Sequence, residues 1–155
     1  MTKRKPIPER KPGRKHNNAK KTTVTFQRKE YTFPSKAEAN HFLKLCTRAQ
    51  NGEIDRLKLQ PEFKLIDSYT IATDKTQSGK STITGLKYTP DFEYYENGKK
   101  IVVEVKGRKT TDYQMRYKLF LALAYTKYGV DTFIEVTDGK ATTYECKSIN
   151  IKRGK

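Results

Sequence analysis

From Ser35 onward the apolar residues fall at helical spacing. In SKAEANHFLKLCTRAQNG, residues 35 to 52, Ala39, Phe42, Leu43, Cys46 and Ala49 recur at intervals of three and four. Ser35 is a natural N-cap and Asn51-Gly52 a stop, so the pattern predicts a helix from Lys36 to Gln50. The period then changes to two. IDRLKLQPEFKLI alternates at Leu57 and Leu59 and again at Phe63 and Leu65, which predicts strand material bent or interrupted at Pro61. Residues 67 to 85 are polar and rich in Gly, Ser and Thr, and predict a long loop or a ragged hairpin.

LKYTPDFEYYE and KKIVVEVKG then flank Asn97-Gly98, a pair that tolerates the positive φ of a type I′ turn, and predict a hairpin. A second helix follows in TDYQMRYKLFLALAYTKYG. Tyr117, Phe120, Leu121 and Ala124 share one face, Thr111 and Gln114 make a capping box, and Gly129 is the C-cap. DTFIEVT and ATTYECK form another hairpin around Asp138-Gly139. The order helix, strands, helix, strands predicts an α/β sandwich: a mixed central sheet flanked by helices, with no internal repeat.

Charge adds a second feature. Thirty-three Lys and Arg stand against seventeen Asp and Glu, a net +16 that favours polyanions, of which nucleic acid is the usual one. No apolar run approaches the length of a membrane span, which disfavours an acidic membrane as the partner. Residues 1 to 30 carry Lys3, Arg4, Lys5, Arg10, Lys11, Arg14 and Lys15 among prolines, and predict a flexible basic arm that ends in a short strand at TVTF. That arm reads equally as a solvated tail or a phosphate contact. Residues 31 to 155 are then the folded domain. The N-terminus has charge without the apolar stretch of a secretory signal, so the expected location is the cytoplasm, that of a bacterial host if the chain is phage-encoded. Cys46, Cys146, His16 and His41 lack the spacing of a structural zinc site.

The first hairpin holds the candidate chemistry. In IVVEVKG, Val103, Val105 and Gly107 point to one side, and Val102, Glu104 and Lys106 to the other. Asp91 and Glu104 each lie six residues from the Asn97-Gly98 turn, so in a two-residue hairpin they face one another and repel. A divalent cation answers that repulsion, because hard carboxylate oxygens suit Mg²⁺ or Mn²⁺, and beside phosphate it supports phosphodiester hydrolysis. The competing reading is a solvated ion-pair cluster on an open face of the sheet.

Pro90-Asp91, twelve intervening residues, then Glu104-Val105-Lys106 resemble the PD-(D/E)XK nuclease signature, on a hairpin as in that superfamily. The run from YTFPSKAEA through NGEIDRLKLQPEFKLI, YTPDFEYY, VVEVKG and QMRYKLF resembles small phage-type endonucleases similar to Holliday-junction resolvases, over roughly residues 31 to 128. The resemblance implies a restriction-endonuclease-like fold. It also implies that Asp91 and Glu104 bind Mg²⁺ with the Val105 carbonyl, that Lys106 is catalytic, and that Glu38 supports the metal or its water. Glu38 reads also as the capping-box partner of Ser35, although Glu38, Phe42, Leu45 and Ala49 share a helical stripe. Gln114 and Lys118 on the second helix, with Arg108 and Lys109 before it, are candidate phosphate contacts. For Gln114 and Lys118 a plain helix-surface role stands equally. Tyr94, Tyr95, Tyr113 and Tyr117 read as core or as stacking platforms.

The expectation is therefore a Mg²⁺-dependent endodeoxyribonuclease acting as a homodimer on branched DNA in phage recombination or replication. Met115, Leu119 and Leu123 offer one dimer surface. Two alternatives are a non-catalytic nucleic-acid-binding module on the same fold, and a restriction-type nuclease cutting linear duplex.

Overall fold

The structure is a computed structural model that describes residues 20–150 and residue 152. Lys3, Arg4, Lys5, Arg10, Lys11, Arg14 and Lys15 lie outside the described residues. Two short strands open the fold, β1 (Thr22–Phe26) and β2 (Lys29–Phe33), paired antiparallel around Gln27-Arg28. β1 thus lies before residue 30, where the composition changes. Alternation explains it, since Val24, Phe26, Tyr31 and Phe33 turn to one side and pack with Phe42 of the first helix.

That helix, α1, spans Lys36–Gln50 as its periodicity predicts, and buries Ala39, Phe42, Leu45 and Cys46. β3 (Asp55–Leu59), β8 (Phe92–Glu96), β9 (Lys99–Val105), β10 (Thr132–Thr137) and β11 (Lys140–Glu145) form a five-stranded sheet in the order β11-β10-β9-β8-β3. β9 and β10 are parallel, with helix α2 (Thr111–Tyr128) as their crossover, and the other neighbours are antiparallel. The sheet is therefore mixed.

Both faces are covered. Ile101, Val103 and Val105 of β9 pack into the α1 core, while Val102 packs with Phe120, Ala124 and Phe133 on the α2 side. The N-cap of α2 is Thr110, one residue before the predicted Thr111, and its hydroxyl accepts the Tyr113 N–H at 3.2 Å. Gly129 ends the helix at φ 63°, a left-handed conformation that suits glycine. Tyr94 and Tyr113 are core residues, and Tyr117 stacks on Tyr113 with ring centroids 5.2 Å apart.

β4 (Phe63–Ile66) and β7 (Leu86–Tyr88) pair beside α2. Beyond them, β5 (Tyr69–Ala72) and β6 (Lys80–Ile83) form the hairpin predicted in ragged form for residues 67 to 85. Gly85 sits where its own chain crosses close by: a Cβ there would lie 2.6 Å from the Ile66 carbonyl oxygen. Among the described residues no helix is long and apolar enough to cross a membrane.

Candidate functional site

The site forms where β8 and β9 part company. Pro90 has no N–H for a ladder, and β8 begins only at Phe92, which leaves Asp91 just outside the strand. Three bonds fix Asp91 there. Its N–H donates to the Val103 carbonyl at 3.1 Å, its carbonyl accepts the Gln60 N–H at 2.9 Å, and its Oδ2 accepts the Val105 N–H at 2.7 Å. Phe92 is also the register partner of Val103, so Asp91 and Phe92 both address a single residue of β9. Asp91 and Glu104 therefore meet across an irregular step, where counting from the turn predicts a regular opposed pair.

Glu104 lies on the α2 face beside Val102, as alternation predicts, but that face is closed: Glu104 is 4% exposed. This excludes the solvated open-face cluster. Glu104 Oε2 accepts the Tyr88 hydroxyl at 3.2 Å, and its Oε1 lies 3.3 Å from Lys106 Nζ. The Lys106 ammonium also sits 4.8 Å from the centre of the Tyr113 ring.

Glu38 is engaged with its cap residue. Its N–H donates to Ser35 Oγ at 3.1 Å and its Oε1 accepts the Ser35 hydroxyl at 3.3 Å, so the box closes on the side chain of Ser35. Its charge nonetheless reaches the site, where it raises the pKa of both Asp91 and Glu104. Burial is the larger cause in each case. Asp91 is held well above the usual carboxylate range by burial, then by Glu104 and Glu38, against the Val105 N–H and Lys106. Burial pushes Glu104 up to about 7, against Lys106 and Tyr88 and with a further upward contribution from Glu38.

Such a set binds a proton or a cation more readily than it stays fully ionised. Hard carboxylate oxygens and a strand-end carbonyl are the donor chemistry of Mg²⁺ or Mn²⁺, and Asp91, Glu104 and the Val105 carbonyl fit such an ion in charge and donor type. Among the described residues no group of three or more His, Cys, Asp or Glu side chains forms a ready-made cage. The fit thus rests on two carboxylates with Glu38 as a nearby charge.

A family profile described as "Protein of unknown function (DUF1064)" matches residues 14–134. The chain belongs to this family. No curated protein matches it. A solved structure titled "Crystal structure of SSO0001" is 17% identical with a TM-score of 0.31, over 70% of this chain and 50% of that one. The chain therefore spans about half the length of that structure.

In this DUF1064 chain the fold gathers Glu38, Asp91, Glu104, Val105 and Lys106. Gln114 and Lys118 lie exposed on α2, and Arg108 is exposed in the loop before it. Lys109 is exposed as well, but its ammonium is engaged, with Nζ 2.6 Å from the buried Glu135 Oε1. Sequence reasoning missed Glu135 and Tyr88, and read Tyr113 as core or as a stacking platform rather than as the neighbour of Lys106. Glu135 is 2% exposed and pairs in register with Glu104. A signal existed: Glu135 in FIEVT sits between apolar neighbours on a strand as Glu104 does in VVEVK.

Proposed function

We propose that this chain is a divalent-metal-dependent endodeoxyribonuclease that cuts branched DNA. One observation carries the reading. Two carboxylates, the half-buried Asp91 and the buried Glu104, each have a raised pKa that favours a proton or a cation, and the Lys106 ammonium stands 3.3 Å from one of them. A bound Mg²⁺ would polarise a phosphoryl oxygen and make a water a better nucleophile at neutral pH.

The chain's own groups have distinct tasks. The Val105 N–H and the Tyr88 hydroxyl fix the two carboxylates without neutralising them. Lys106 offsets charge that builds on the phosphate oxygens during displacement. Glu38 keeps the local field negative, which raises the pull on a cation. The net +16 draws the polyanion in, and selectivity for branched DNA would come from backbone shape. A homodimer suits a four-way junction because two-fold symmetry presents two copies of one site. Met115, 61% exposed, and Leu119, 38% exposed, offer an apolar face on α2 for it.

The test is incubation of the protein with junction, flap, duplex and single-stranded DNA, in Mg²⁺ and in EDTA, beside sedimentation. Junction cleavage in Mg²⁺ that is lost in EDTA and in Asp91→Asn and Lys106→Ala is expected. Undiminished cleavage by Glu104→Gln would reject the site. Binding without cleavage in any metal would leave a nucleic-acid-binding module. A strict monomer that cuts duplex as fast as junctions would remove the junction preference and leave the nuclease.

A further inference from the structure

Glu104 has a neighbour of its own kind on the α2 side. β9 and β10 run parallel with Glu104 paired to Glu135, which is 2% exposed. A carboxylate so far from water needs its charge answered. Its Oε1 lies 2.6 Å from Lys109 Nζ, and its Oε2 accepts the Tyr113 hydroxyl at 2.5 Å. Lys109 belongs to the β9–α2 loop and Tyr113 to the first turn of α2, so Glu135 ties both to β10.

Tyr113 passes that constraint on. Its ring is fixed at the hydroxyl end by Glu135, flanked by Tyr117 with centroids 5.2 Å apart, and turned toward Lys106 Nζ at 4.8 Å. That separation is within cation–π range. A lysine left alone swings about four rotatable bonds, and a fourth carboxylate would restrain it only by adding an anion to a site that already holds Asp91, Glu104 and Glu38. An aromatic face restrains the ammonium and leaves its charge available. A carboxylate acceptor also holds a phenol more firmly than an amide would, and draws electron density into the ring.

We propose that Glu135 and Tyr113 are positioning residues: Glu135 holds the Tyr113 hydroxyl so that the ring face fixes the Lys106 ammonium beside Glu104. The activity part of this proposal rests on Lys106 as the working cation of a phosphodiester-cleaving site, whereas its geometric part does not.

The two parts are tested separately. With ¹³C-labelled lysine, the Lys106 ε-methylene, assigned through Lys106→Arg, should resonate upfield because it lies by the ring face. Tyr113→Phe keeps the ring and removes the hydroxyl that Glu135 holds, so it should move that signal toward the ordinary lysine position, and Glu135→Gln should do the same. Lys109→Ala, which leaves the Tyr113–Glu135 bond in place, should move it less. In Mg²⁺-dependent junction cleavage, Tyr113→Phe should lower kcat by about tenfold to a hundredfold with KM little changed.

An ordinary wild-type shift, or one that Tyr113→Phe leaves in place, overturns the proposal. A signal displaced in Tyr113→Phe with unchanged kcat overturns the activity part. If wild-type protein cleaves no DNA at all, the nuclease reading fails while the spectrum still decides whether Glu135 and Tyr113 position Lys106. Should Glu135→Gln unfold, Tyr113→Phe carries the test alone.

Discussion

Glu104→Gln removes a buried charge while it keeps side-chain volume and an acceptor for the Tyr88 hydroxyl. The Glu104 carboxyl is pushed from the ordinary 4.5 up to about 7, chiefly by burial. Between those two values the folded chain keeps a proton that the unfolded chain has already released. Stability therefore falls as pH rises through that window, and the loss is complete above pH 7. At about 1.4 kcal/mol per pH unit, the ionised carboxylate costs the apo fold at most about 3 kcal/mol. The Gln variant carries no such cost but gives up the Lys106 ion pair. We expect it to be more stable than wild type by about 1–3 kcal/mol at pH 8 and nearly equal to it at pH 4. With no Trp in the chain, the assay is urea unfolding followed by far-UV circular dichroism, in EDTA, at pH 4, 6 and 8. Added Mg²⁺ should then stabilise wild type and leave the variant unmoved. A variant less stable than wild type by the same amount at every pH would refute the reasoning, because Glu104 would then be a satisfied structural acid.

Three further outcomes follow from other parts of the fold. Burial, with Lys44 and Arg48, lowers His41 from 6.5 to about 4, so the folded chain refuses a proton that the unfolded chain takes up in that range. His41→Gln should remove an acid-side loss of up to about 3 kcal/mol between those pH values, and an unchanged stability–pH slope refutes it. Gly85→Ala should lower stability by about 1–3 kcal/mol in the same titration, since the new Cβ meets backbone that cannot give way cheaply, and a neutral effect would place the crossing strands farther apart. Deletion of residues 1–19, which stops short of β1 at Thr22, should weaken DNA binding and reduce its salt slope by about 0.9 per lost phosphate contact, and an unchanged slope would make the arm a bystander.

Sequence was most informative where the period was strong and the punctuation local. Helix α1, the C-cap at Gly129 and the turns at Asn97-Gly98 and Asp138-Gly139 needed no tertiary information. The N-terminal hairpin was half hidden, because its turn residues Gln27 and Arg28 take φ values of 49° and 64° without the glycine or asparagine that flags such turns. Thr110 and Thr111 are chemically alike as caps, and only packing of the first turn chooses between them. The pairing of Asp91 with Glu104 was legible because both belong to one hairpin. Glu135 was not, since the β9–β10 register is set by how α2 closes, which no local spacing encodes. Tyr88 and Tyr113 reach the site from β7 and α2, and their roles are likewise tertiary.

The parallel seam between β9 and β10 also orders events in time. Hairpins β8–β9 and β10–β11 close over two residues each, whereas β9 meets β10 only after the chain has run through all of α2. Closing that long excursion costs entropy before any contact repays it, so it comes late. The two local hairpins should therefore form with Glu104 and Glu135 still in water and apart. Desolvation of both glutamates, the grip of Tyr113 and the ion pair with Lys109 then arrive together as the seam zips. The site's electrostatic strain is thus absent from the early nucleus, and relief of it should slow unfolding while leaving the refolding rate almost untouched.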